Sequence, residues 1–106
     1  MSGQVHLRAV TVESLEVPIE SSVDPTSGTV AFALSAPGAA TPGAYSSGQW
    51  SGTWSSATGR VTAITPTLGA TGSMTIAAGN AYDLWARVSG VGSETPQWVV
   101  GRVVVS

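Results

Sequence analysis

Apolar and polar residues alternate in short runs along this chain, and the two runs nearest its end, residues 81–88 and 97–105, both read as strands with no helix between them. In the first, Tyr82, Leu84, Ala86 and Val88 form one face, with Asp83, Trp85, Arg87 and Ser89 on the other. In the second, Trp98, Val100, Arg102 and Val104 alternate with Val99, Gly101, Val103 and Val105, which leaves apolar side chains on both faces. A link from Gly90 to Pro96 joins them.

Nearer the start, residues 10–20 alternate on either side of a phase slip at Ser14–Leu15, which predicts a strand with a bulge or bend. Pro18 has no N–H to give to a ladder, so that strand belongs at a sheet edge. Asp24 to Gly28 has turn chemistry, and residues 29–34 follow as a strand with Val30, Phe32 and Leu34 on one face. Two prolines and two glycines within residues 36–44 forbid regular structure and predict an exposed loop. Residues 48–55 read as a strand with Trp50, Gly52 and Trp54 on one side. Thr58–Gly59 turns it into residues 60–65 as a hairpin, and residues 73–77 make a further short strand.

Seven short strands with turn signals roughly every 10 residues are the spacing of an all-β, immunoglobulin-like antiparallel β-sandwich. The expected organisation is an N-terminal arm over residues 1–9 and one sandwich domain over residues 10–106. A chain of 106 residues buries roughly 65% of its unfolded surface, enough for one core without metal or disulfide.

Composition changes this picture at the surface. Only 9% of residues are charged, against about 25% in an average domain, so Ser, Thr, Gly and Ala cover much of the exterior and defend it poorly against association. There is no lysine and the four arginines, Arg8, Arg60, Arg87 and Arg102, are scattered, so no basic stripe offers itself to nucleic acid. Cysteine is absent, which removes disulfides, thiolate catalysis and thiolate zinc sites. The polar, mixed stretch Ser2 to Arg8 does not resemble a signal peptide, and no run reaches the ~20 apolar residues of a membrane span.

Catalytic constellations find few members. His6 is the single imidazole and lies in the N-terminal arm, so a Ser–His–Asp triad has one candidate base, in a position expected to be solvated. Glu13, Glu16, Glu20, Asp24, Asp83 and Glu94 fall in separate strands and turns rather than as a pair flanking a cleft. Glu20 with Asp24 offers too few oxygens for calcium, and no glycine cluster sits between a strand and a helix as a phosphate cradle requires. The expectation is a non-enzyme with no cofactor and no metal.

The aromatic residues carry more. Trp50, Trp54, Trp85 and Trp98 are numerous for a chain with one phenylalanine, and tryptophan serves cores, interface anchors and sugar platforms alike. Tyr82 is expected in the core as a corner residue, with Leu84 where an antibody domain has its second Cys. Trp85 shares its face with Arg87 and Asp83, a mixture commoner at an outer surface. The candidate partner-contacting residues are Trp85, Arg87, Trp98 and Arg102.

A strand of VxVPI type, then DPTSGTVAFAL, a tryptophan strand, AGNAYDLWARV and PxWVVGRVVV follow one another in an order that resembles small immunoglobulin-like structural proteins of tailed phages infecting actinobacteria, encoded among head and tail genes. The likeness spans about residues 10 to 105 and is strongest at residues 29–34, 79–88 and 101–103. It implies a virion location, after synthesis in the bacterial cytoplasm, and assembly rather than chemistry. The expected role is a capsid decoration protein bound outside the shell, or else a head-tail connector component. The expected partners are the major capsid protein or neighbouring virion proteins, in symmetric multi-copy arrays without nucleic acid or membrane. The alternative is a carbohydrate- or host-surface-binding module, which requires tryptophans exposed in a row or cleft.

Overall fold

The computed structural model describes residues 3–7, 12–69, 71–90 and 95–105, with side chains described from residue 12 onward. The side chain of His6, and Arg8, Val10 and Glu94 altogether, lie outside the described residues.

The chain is all-β: β1 (Gly3–Leu7), β2 (Glu16–Glu20), β3 (Thr29–Ser35), β4 (Ser46–Ser47), β5 (Gln49–Ser55), β6 (Arg60–Ile64), β7 (Leu68–Gly69), β8 (Met74–Thr75), β9 (Ala81–Ser89) and β10 (Gln97–Val105). A five-stranded sheet in the order β1-β10-β9-β3-β4 packs on a three-stranded sheet in the order β2-β6-β5, and β7 with β8 forms a small parallel pair. The two larger sheets are antiparallel except where β1 runs parallel to β10.

Period-two alternation explains the core. Val17 and Ile19 of β2 and Val61 and Ala63 of β6 face Val30 and Phe32 of β3, Leu84, Ala86 and Val88 of β9, and Val103 and Val105 of β10. Leu68, Met74 and Ile76 close one end. Trp50 and Trp54 lean onto this core from β5, their indole N–H groups donating to the carbonyls of Gly28 and Ser21 at 3.0 and 3.2 Å.

Pro18 occupies an edge strand, as its missing N–H predicts. The ladder bonds between β2 and β6 run through residues in phase with Ser21 N–H to Gly59 O, so Pro18 faces away from β6 and costs the ladder nothing. The Thr58–Gly59 turn also forms, with Gly59 at a φ of 68° and its N–H on the Ser55 carbonyl. Gly52, at a φ of 79°, takes up the register shift between Ser51 and Ser55.

Four expectations change. Residues 3–7, read as arm, form β1, whose register runs from Gly3 beside Gly101 to Leu7 beside Val105. The short strand of residues 73–77 shrinks to Met74–Thr75 and pairs with Leu68–Gly69, which carries no alternation to announce it. A bulge between Val99 and Gly101 consumes one residue of β10, so the phase flips there: Trp98, Gly101, Val103 and Val105 belong to the core face, and Val99, Arg102 and Val104 to the outer face. Finally, the loop of residues 36–44 has exposed residues but is fastened down. Gly43 N–H donates to Leu34 O at 3.0 Å and Gly38 N–H to Asp83 Oδ2 at 2.8 Å.

Candidate interaction surface

The outer face of β9 carries Asp83, Trp85 and Arg87, as the alternation predicts, but the chain itself covers much of it. Trp85 is only 9% exposed. Small residues make this possible: Ala33 lies beside Trp85 and Ala31 beside Arg87, leaving room for both large side chains to lean across β3. Trp85 donates its indole N–H to Ser35 Oγ at 3.0 Å, and the Arg87 guanidinium sits 4.0 Å from the centre of the Tyr45 ring. Burial raises the Tyr45 hydroxyl above its ordinary pKa, and the positive charge of Arg87 opposes that shift. Trp85 is therefore a buried residue rather than the exposed contact its polar neighbours suggested.

Arg102 is likewise committed within the chain. Its Nε lies 3.2 Å from Asp83 Oδ1, while the other carboxylate oxygen holds the loop through Gly38. Arg87 differs: its buried Nε has no acceptor among the described residues. Tyr45 donates its hydroxyl to Gln97 Oε1 at 3.1 Å, so Arg87, Tyr45 and Gln97 form one patch beside the start of β10.

A groove borders that start. About 700 Å³ in volume, it runs between Pro18, Glu20 and Arg60 on one side and Pro96, Trp98, Val99 and Val100 on the other. Trp98 and Val100 pack partly on the core, whereas Val99 is 39% exposed, because its neighbour Trp85 leans the other way, toward β3. Glu20 and Arg60 pair at 3.0 Å with both side chains largely in solvent, an interaction that contributes about 0–1 kcal/mol.

The backbone here is available too. Val88 N–H donates to Pro96 O, so the bonded pairs with β9 fall at Pro96 and Trp98. Gln97 and Val99 consequently turn their N–H and C=O groups away from β9. From Gly101 onward that edge is taken by β1; among the described residues no strand pairs with Gln97–Val100 there.

Of the four residues singled out from sequence, Trp98 alone lines this groove. Arg87 borders it, and Trp85 and Arg102 serve the outer-face packing. Val99, Val100 and Tyr45 were not among those four, although the apolar residues on both faces of this strand already pointed to Val99 and Val100. Among the described residues no tryptophan is exposed, so the row of stacking platforms that sugar binding would need is not displayed. Nor is there a group of three His, Cys, Asp or Glu side chains able to share a metal ion among those residues. Comparison with family models, curated proteins and solved structures finds no match for this chain.

Proposed function

We propose that this chain is a structural docking module of a virion, a capsid decoration protein that adheres to the outside of the shell. The observation that carries the docking role is the uncharged edge at Gln97–Val100, which no strand among the described residues covers, where outward backbone groups, a half-buried Trp98 and an exposed Val99 adjoin Arg87, a cation without a carboxylate partner among those residues. Tryptophan and arginine are the side chains on which interfaces most often depend. The virion setting comes from the resemblance of its motifs to phage head and tail structural proteins.

The strand order supports an immunoglobulin-type sandwich. Strands β10, β9 and β3 would be the sheet that carries G, F and C, and β2, β6 and β5 the sheet that carries B, E and D. Tyr82, at the start of β9, accepts the Ala77 N–H at 3.1 Å five residues upstream, in the manner of a tyrosine corner.

A decoration protein adds contact area to each shell subunit, and many weak identical contacts sum to a large stabilisation. Particles assembled with this protein are expected to release their genome at a higher temperature than particles lacking it. Equal release temperatures would remove the decoration role.

A further inference from the structure

We infer that Arg87, together with Tyr45 and Gln97, is a recognition site for a carboxylate, supplied by an acidic side chain of the docking partner. The inference rests on the reading of this side of the molecule as a docking surface. Among the described cations, Arg60 pairs with Glu20 and Arg102 with Asp83, whereas Arg87 has no carboxylate. The remaining described acids, Glu13, Glu16 and Asp24, lie on β2 or on the segments flanking it, and β2 belongs to the other sheet.

The patch is built from donors. The Arg87 guanidinium lies 4.0 Å from the centre of the Tyr45 ring, a stack that fixes the plane of its fork before any ligand arrives. Its Nε is buried without an acceptor, so the stem is embedded, and the Nη pair is the part of the fork left to a ligand. Gln97 stands beside Arg87 in the register of β9 with β10. Tyr45 donates its hydroxyl to Gln97 Oε1 at 3.1 Å, which engages the amide oxygen and leaves the amide NH2 to donate. A planar cation beside a free NH2 suits a planar anion with two oxygens: a carboxylate accepts end-on from the Nη pair and also from Gln97. A neutral amide or hydroxyl in the same place would make bonds roughly half as strong. Because Arg87 is already held, little ordering entropy is lost on binding.

NMR of the full, nitrogen-labelled chain tests this, with the peptide acetyl-Gly-Glu-Gly-amide as probe and acetyl-Gly-Gln-Gly-amide as its neutral control. The Glu peptide is expected to bind in the millimolar range and to shift the Arg87 Nε–H and the Gln97 side-chain NH2 signals, while the Gln peptide shifts neither. Gln97→Glu, at an exposed position, sets a carboxylate of the chain itself beside Arg87 and is expected to weaken peptide binding about tenfold or more. Arg87→Gln is expected to lose binding to the same extent, with circular dichroism verifying that both variants fold. Equal shifts from the two peptides, shifts at Arg60 and Arg102 as large as at Arg87, or undiminished binding by Gln97→Glu overturns the inference. So does tighter peptide binding by Glu94→Gln, since the chain would then already supply the carboxylate itself. Genome-release measurements keep the two readings apart. A chain that binds the Glu peptide but protects no particle refutes the decoration role alone, and particles protected as well by Arg87→Gln as by the wild-type chain refute the carboxylate site alone.

Discussion

Asp83 is the residue on which the covering of the outer face turns, and Asp83→Asn is the sharpest probe of it. The carboxylate is 7% exposed and receives two donors, Gly38 N–H at 2.8 Å on one oxygen and Arg102 Nε at 3.2 Å on the other. An amide has the same shape but one acceptor oxygen, so its NH2 must confront one of the two donors. The bond from Gly38 to a buried charged acceptor contributes about 1.5–3 kcal/mol, and the one from Arg102, whose side chain is 42% exposed, only about 1 kcal/mol. Asparagine retains one neutral bond of about 1 kcal/mol, so the net loss is roughly 2 kcal/mol. For a chain of this length that corresponds to a fall in Tm of about 8–12 °C.

Urea unfolding followed by tryptophan fluorescence and circular dichroism measures the loss. Adding Arg102→Met to Asp83→Asn should cost less than the sum of the separate effects, because both remove the same contact. A loss below about 0.5 kcal/mol for Asp83→Asn, within the range of ordinary surface substitutions, would refute the argument that this carboxylate pins the loop.

Other perturbations have outcomes of known direction. Gly48→Ala should destabilise by about 1–3 kcal/mol in the same urea assay, since its Cβ would fall 2.5 Å from Phe32 Cε2 and 2.8 Å from the Ile64 carbonyl, and neither a fully buried ring nor a backbone oxygen gives way cheaply. Tyr82→Phe removes the acceptor of the Ala77 N–H and should cost about 0.5–1 kcal/mol, with the sandwich otherwise intact by circular dichroism. The Asp24 carboxyl is held below 3.8 by the Thr26 hydroxyl and then by the Thr26 N–H, so its contribution to stability is complete above 3.8 and lost as pH falls through the lower, folded value. Carboxyl titration by NMR should therefore give a midpoint below 3.8 that moves back up in Thr26→Val.

Legibility in the sequence followed locality. Where an element was decided by neighbours two residues apart, as at residues 29–34 and 81–88, alternation identified the strand and the residues that share its core face; the Thr58–Gly59 turn identified residues 60–65, and Pro18 identified an edge. Trp85 was misread because burial of an outer face depends on partners far along the chain: Ser35 accepts its indole N–H, and residues 36–45 reach the same face through Gly38 on Asp83 and Tyr45 on Arg87. No periodicity within β9 reports that. The strand at residues 3–7 was missed for the same reason, since its partner is the far end of the chain.

The β10 bulge shows how one inserted residue couples the parts of the candidate site. Without it, Val99 and Arg102 would project to opposite faces; with it, both lie on the outer face, so Arg102 reaches Asp83 while Val99 stays beside Trp85. Gly101 occupies the buried position opposite Leu84 just after the bulge, and β1 begins its pairing at that same residue. The bulge thus divides β10 into a half paired with β1 and a half that no described strand pairs on that side, with Trp98 on the groove side and Val99 on the outer side of the latter. Deleting Val100 would set Val99 and Gly101 consecutively against Trp85 and Leu84, closing the bulge with both halves of β10 keeping their faces. Drawing Val100 into a regular ladder would instead flip one half: either the core would lose Val103 and Val105 or Trp98 would turn outward, so the extra residue holds the two halves of β10 in their present faces.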